Sequence, residues 1–331
     1  MTVADGYQAI QEQAAIGAVG PRFQIAVAGQ DRAAYLQGLL TNDIQALTAG
    51  RGCYSAWLSP QGRMLTDMHV LESGGMILLD VPAETLGPTL QRLEQFIFTE
   101  DVRVGSLAES MGSIWLHGPR AASVIEQAID GVRGLNDWAE YRHTQYEFGD
   151  SPVSVARISQ LGVPGFCVYA ERARVPAILS ALAGAGAAVA PEEAIAAARI
   201  EAGYPVFGID MTEETIPLEA GIESRAISFT KGCYVGQEVI IRVLHRGHGR
   251  VAKKLASIRI HGQRPEPGAK LYAGEREVGT VTSAADSPRS GTIALAYVHR
   301  DFLAPGTELD VEVSPARARA VVGGASVPSP A

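Results

Sequence analysis

Near residue 252 the chain changes texture, and this change limits the available folds more than any single motif does. Beyond it, short runs of alternating apolar and polar residues at 255–260, 278–282, 292–299 and 309–313 are separated by turn clusters. Two such clusters are Pro265-Glu266-Pro267-Gly268 and Ser287-Pro288-Arg289-Ser290-Gly291. Alternation puts every second side chain on one face, as a half-buried strand requires, and Pro and Gly at the breaks stop a helix from running through. The C-terminal part is therefore read as a small all-β domain.

Before that point strands and helices mix. Phe23, Ile25 and Val27 alternate with polar or small residues and predict a strand, after which Asp31 opens a helix with Leu36, Leu39, Leu40 and Ile44 on one face. Further strands are predicted around 52–58, 64–71, 76–81, 112–117, 153–158 and 165–170. Helices are predicted from Leu86, Leu90, Leu93 and Ile97, from Val124, Ile125, Ala128 and Ile129, and across an Ala-rich span at about 173–201. No strict βαβ alternation governs this order, so the fold class is α+β rather than a doubly wound sheet. The expected domains are 1–250 and 251–325, with a tail at 326–331.

Composition narrows the function classes. The 331 residues are 47% hydrophobic and 19% charged, enough apolar surface for the cores of two or three domains. No run of about 18 residues stays apolar without a charge. The N-terminus has no basic stretch followed by an apolar block, so neither a membrane span nor a secretory signal is expected. Three cysteines, Cys53, Cys167 and Cys233, lack CxxC spacing; no disulfide scaffold or self-contained metal site is expected, and a reducing cytoplasm is. Charge is uneven: residues 1–241 carry 15 basic and 28 acidic side chains (−13), residues 242–331 carry 13 and 8 (+5), giving the net −8. The basic run Arg242, Arg246, Arg250, Lys253 and Lys254, with His245 and His248 between, suits an anionic ligand or the protein's own acidic part. No nucleic-acid-binding motif accompanies it, so direct nucleic-acid binding is not expected.

Three places carry candidate chemistry. In Lys231-Gly232-Cys233-Tyr234-Val235-Gly236-Gln237-Glu238 two glycines flank a thiol just before a helix start at Gln237. A helix N-terminus and a neighbouring lysine favour thiolate; the competing reading is an inert cysteine in a tight turn. In Arg199-Ile200-Glu201-Ala202-Gly203-Tyr204-Pro205, Gly203 and Pro205 stop a helix, leaving Glu201 at its C-terminus, where the dipole disfavours a carboxylate by about 0.3–1 kcal/mol. Such a carboxylate can accept two hydrogen bonds from an amino-pyrimidine edge, or pair with an arginine such as Arg199 or Arg225. After the turn Ser59-Pro60-Gln61-Gly62-Arg63, alternation puts Asp67 and His69 on one strand face, either to share a ligand or to sit half-solvated. GxGxxG, Walker, GxSxG and HExxH patterns are missing.

KGCYVGQE at 231–238, together with LLTNDI at 39–44, SPQGR at 59–63, RIEAGYPVFGID at 199–210, IPLEA at 216–220 and GTIALAYV at 291–298, resembles the YgfZ family. These are folate-binding proteins related to the glycine-cleavage T protein. The resemblance implies three lobes around a central folate pocket, the third a small β-barrel, with tetrahydrofolate or a derivative as ligand. It implies that Glu201 holds the pterin, that Arg242, Tyr234 and Gln237 contribute to binding, and that Cys233, with its pKa lowered by Lys231, is the functional thiol. It further implies a cytoplasmic, monomeric factor serving iron–sulfur assembly or repair, with tRNA-modifying enzymes among its clients. One departure matters: T proteins carry two adjacent aspartates where this chain has Thr66-Asp67. The surviving Asp67 leaves folate-dependent aminomethyl transfer, with Asp67 on the substrate amine, as the alternative.

Overall fold

The computed structural model describes residues 1–245, 250–314 and 316–324. Residues 246–249, with Arg246 and His248 of the basic run, and the expected tail at 326–331 lie outside the described residues. The chain opens with helix α1 (Val3–Glu12), fixed by a reciprocal cap in which Thr2 Oγ1 accepts from Asp5 N and the Asp5 carboxylate accepts from Thr2 N, both at 3.1 Å. A two-residue strand β1 (Ala15–Ile16) follows.

Strands β2 (Arg22–Ala28), β3 (Arg51–Leu58), β4 (Met64–Glu72), β5 (Met76–Pro82) and β6 (Arg103–Ser106) form an antiparallel sheet in the order β3-β4-β5-β2-β6. Helices α2 (Arg32–Leu39) and α3 (Leu86–Gln95) belong to the same lobe. Its core gathers Ile25, Leu36, Trp57, Met68 and Leu79. The second lobe is built from β7 (Met111–His117), α4 (Ala121–Ala128), β8 (His143–Phe148), β9 (Ser151–Arg157), β10 (Gly165–Glu171), α5 (Val175–Gly184), β11 (Ala188–Val189) and α6 (Glu192–Glu201). Its sheet runs β11-β1-β7-β10-β9-β8, with β1–β11 as its parallel pair. Leu71 and Leu78 of the first sheet meet Trp115, Cys167 and Tyr169 of the second, so the two sheets share a seam.

Short helices α7 (Pro217–Ala220) and α8 (Glu223–Ala226) and helix α9 (Gln237–His245) lead to the last lobe. There β12 (Lys253–His261), β13 (Lys270–Ala273), β14 (Arg276–Ser287), β15 (Gly291–His299), β16 (Glu308–Val313) and β17 (Ala316–Gly324) close as β12-β15-β14-β13-β16-β17. Closure pairs every strand on both sides and leaves no free edge for another chain to pair with. Fold class and barrel are thus as expected.

The differences are local. The helix expected to reach Ile44 ends at Leu39, because Leu40 turns extended (φ −97°, ψ 153°); Ile44 still reaches the core, from a loop. The Ala-rich span holds the expected helices, α5 and α6, with the unexpected strand β11 between them. A further core ties α1, α6 and the barrel through Tyr7, Ile10, Ala194, Ile195, Leu255 and Leu295.

Candidate functional site

A hollow of about 90 Å³ opens where the first sheet meets Trp115 of β7 and the segment after α6. Asp67, Arg22, Glu84, Gln160 and Tyr204 give it its polar character. Asp67 faces it because the alternation read along β4 is real, but the face is buried: Asp67 is 3% and His69 0% exposed. The half-solvated reading is therefore corrected; this face looks into the protein.

Partners fix the Asp67 carboxylate. Oδ1 accepts from Arg22 Nη1 at 3.0 Å and Oδ2 from the Tyr54 hydroxyl at 2.7 Å. Arg22 also donates Nε to Asp80 Oδ2 at 2.8 Å and Nη2 to the Asp80 carbonyl at 2.6 Å. Asp80 accepts Gln24 Nε2 at 2.8 Å and lies 2.9 Å from His69 Nδ1. His69 thus spends one nitrogen on Asp80, while its Nε2 is sealed without a partner. One guanidinium balances two buried carboxylates, an arrangement that holds only while each partner stays. Burial pushes the Asp80 carboxyl up, but the Arg22 charge and the His69 hydrogen bond outweigh it and leave its pKa low. For His69 burial and the same Arg22 charge act together, lowering its pKa and keeping the ring neutral.

The octapeptide sits elsewhere. Lys231 places its ammonium at the C-terminal end of α2, donating to the carbonyls of Gln37, Leu40 and Asn42 at 2.6, 2.7 and 2.8 Å. All three N–H donors satisfy carbonyls of the α2 end, where a cation also suits the dipole. The expectation that Lys231 activates Cys233 is corrected accordingly: the ammonium is spent on backbone, and the thiol in its electrostatic reach is Cys53, whose pKa burial pushes up to about 12. Cys233 is exposed and pairs with no other cysteine. Tyr234 is buried, with the Lys231 ammonium 5.2 Å from its ring centre, and Gln237 begins α9. Arg242 is exposed and pairs with Glu238 one turn earlier at 2.5 Å. None of these residues lines the hollow.

Glu201 ends α6 as the sequence predicts, but its carboxylate is taken up by the barrel. It accepts from Tyr7 of α1, from Ser287 Oγ at 3.1 Å, from Ser290 Oγ, and from Arg289 Nε at 3.3 Å and Nη2 at 3.1 Å. The arginine of the salt-bridge reading is thus Arg289, not Arg199 or Arg225. Burial raises the carboxyl's pKa, yet Ser290, Tyr7 and Arg289 together hold it below the usual range.

Sequence reasoning missed two residues of the site, Arg22 and Gln160, and gave a third, Arg225, the wrong partner. Arg22 stands 45 positions before the Asp67 it neutralises, a pairing made only by the sheet. Gln160, 3% exposed, keeps its Oε1 sealed and without a donor in the wall of the hollow. Arg225 has its guanidinium between the rings of Tyr54 (4.4 Å) and Tyr204 (4.3 Å). Among the described residues no cluster of three or more His, Cys, Asp and Glu is set to hold a metal ion, and no helix is long and apolar enough to cross a membrane.

Comparison with known proteins places this architecture. Residues 1–231 match the GCVT N-terminal domain, and residues 253–326 match the glycine cleavage T-protein C-terminal barrel domain. An aminomethyltransferase of Rubrobacter xylanophilus is 30% identical over 294 residues, covering 88% of this chain and 78% of that protein. One of Bacillus pumilus is 26% identical over 332 residues, covering 97% and 89%. The crystal structure of glycine cleavage system aminomethyltransferase T from Bartonella henselae superposes with a TM-score of 0.87 at 23% identity, covering 98% of this chain and 89% of that one, a likeness of fold. The chain belongs to the glycine cleavage T-protein family.

Proposed function

We propose that the protein is a folate-dependent one-carbon transferase of the aminomethyltransferase kind. The observation that carries this reading is Asp67: a carboxylate in the wall of the hollow, oriented by Arg22 and Tyr54, with unused lone pairs on both oxygens. The residues fit tetrahydrofolate in donor chemistry. A pterin presents N–H donors, and the wall offers the carboxylates of Asp67 and Glu84 as acceptors, beside the aromatic rings of Trp115 and Tyr204. Bound folate would supply the nitrogen that takes up the one-carbon unit. Asp67 would hold the substrate amine, and Arg22 and Tyr54 would keep that carboxylate fixed in place. The relatives named as aminomethyltransferases support the reading.

Calorimetric titration of tetrahydrofolate into wild type and Asp67→Asn, followed by one-carbon turnover with an aminomethyl donor, tests it. Binding by both with turnover in wild type alone is expected. Folded wild-type protein that takes up no folate overturns the proposal.

A second reading, membership of the YgfZ branch and support of iron–sulfur enzymes including tRNA-modifying ones, is favoured by one observation: Cys233 is exposed on its loop, where a partner protein can reach it. It predicts that Cys233→Ala lowers cluster-enzyme activity in cells while leaving folding unchanged. Equal activity would remove the thiol from that role.

A further inference from the structure

The wall of the hollow is held from outside. Tyr204, Pro205, Val206, Phe207 and Ile209 line it, and the next residue, Asp210, turns away from it and is 1% exposed. Its carboxylate has two sides. Oδ2 serves the wall, accepting Val206 N at 3.0 Å and Arg199 Nη1 at 2.7 Å, while Arg199 also donates to the Tyr204 carbonyl at 3.2 Å. Oδ1 serves the barrel, accepting Thr282 Oγ1 at 2.5 Å and Ser283 Oγ at 2.7 Å, both from β14. The Asp210 carbonyl takes a fifth bond, from the Tyr297 hydroxyl of β15 at 2.9 Å. Four donors saturate the lone pairs of the carboxylate, which leaves it no capacity for a ligand.

We infer that Asp210 is a positioning residue through which the barrel hydroxyls of Thr282 and Ser283 set the shape of the ligand hollow. The mechanism is direct. A buried carboxylate must keep its donors, so its position is dictated jointly by β14 and by Arg199. Val206 and Tyr204 are bonded to that same pair, so the wall follows wherever the pair is held. Without the two barrel hydroxyls, Oδ1 is left bare in a buried place, and the carboxylate moves toward water or toward Arg199, carrying the Val206 amide with it. The barrel, which contributes no residue to the lining, thereby becomes part of the ligand site's specificity.

The assignment of a folate to the hollow rests on the function proposed above, so the test has two arms. Asp210→Asn risks the whole fold, and the variants are therefore Thr282→Val with Ser283→Ala, and Thr282→Ser as the conservative control. In the ligand-free arm, amide hydrogen exchange at residues 206–211 is expected to speed up about tenfold or more in the double variant, with β12 and β17 unchanged and Thr282→Ser at wild-type rates. Uniform acceleration across the protein, or none at 206–211, overturns the inference. In the ligand arm, the Kd for tetrahydrofolate is expected to rise about tenfold in the double variant and to recover in Thr282→Ser. An unchanged Kd overturns the inference even where exchange rises. Wild type that binds no folate overturns the proposed function instead, and the exchange arm then decides this inference alone.

Discussion

Replacing Arg22 by methionine removes a positive charge from between two buried carboxylates and leaves the side chain's volume nearly intact. Arg22 makes three hydrogen bonds there, one to Asp67 and two to Asp80, with its side chain only 11% exposed. Removing one partner of a buried ion pair costs about 3–5 kcal/mol, since the remaining charge keeps its desolvation penalty and loses its compensation. That is a large share of the roughly 5–15 kcal/mol that holds a domain together. The loss should also depend on pH in a particular sense. In the wild type burial and Arg22 both depress the His69 pKa, and the Asp80 hydrogen bond opposes them. With Arg22 gone, one of the two groups that depress the imidazole is removed while the Asp80 hydrogen bond remains, so the His69 pKa rises from its wild-type position. The folded variant then binds that proton more tightly than folded wild type does, an advantage gained as pH falls through the variant's imidazole pKa and absent above it. The variant is therefore expected to lie closer to wild type at pH 6 than at pH 8. Each tenfold tightening of proton binding by the folded imidazole is worth about 1.4 kcal/mol of that difference. Urea unfolding of both proteins at pH 6 and pH 8, with the His69 imidazole followed by NMR, measures both quantities. A loss below about 1 kcal/mol that is equal at the two pH values would refute the reasoning.

Two further outcomes are expected. His117 is fully buried, lies 3.0 Å from the Gly17 carbonyl, and has its pKa pushed down to about 4 by burial. The unfolded chain takes up that proton from about pH 6.5 and the native protein only near 4, so acidification across this window should cost about 3 kcal/mol. In urea titrations at pH 7, 5 and 4, His117→Asn should flatten that loss; an unaltered pH slope would count against it. Gly208 stands at φ +89°, where an added Cβ would also meet the exposed Glu84 carboxylate. The carboxylate can swing away but the backbone cannot, so Gly208→Ala should lower stability by about 1–2 kcal/mol, and an unchanged melting temperature would contradict that.

The sequence makes the architecture readable where one physical signal dominates. Alternation reveals β4 and the barrel strands because each buries a continuous face, and Gly203 with Pro205 marks the end of α6. Helix α1 is less legible, although its signal is present: Thr2 and Asp5 are spaced as a cap, but Tyr7 and Ile10 are few apolar anchors for so short a helix. Strand β1 has two residues and no periodicity to read; it exists because β7 and β11 flank it. In the site, the residue types were legible and their partners were not. Glu201 is conspicuous because it opposes its own helix dipole, yet what compensates it arrives 86 to 89 positions later on the β14–β15 turn. Lys231 shows the converse. Adjacency in sequence suggested a partnership with Cys233, whereas the lysine side chain folds back on α2, 189 to 194 positions earlier.

The core shared by α1, α6 and the barrel has a consequence in time. Tyr7 and Ile10 are made almost 290 residues before their core neighbours Leu295 and Tyr297. At about 5–20 residues per second, a ribosome needs roughly 15–60 s to cover that distance. Throughout that interval the apolar side of α1 lacks its barrel neighbours, long enough for a nascent-chain chaperone to bind and leave many times. Helix α1 is thus fully packed only when β15 of the barrel has been made.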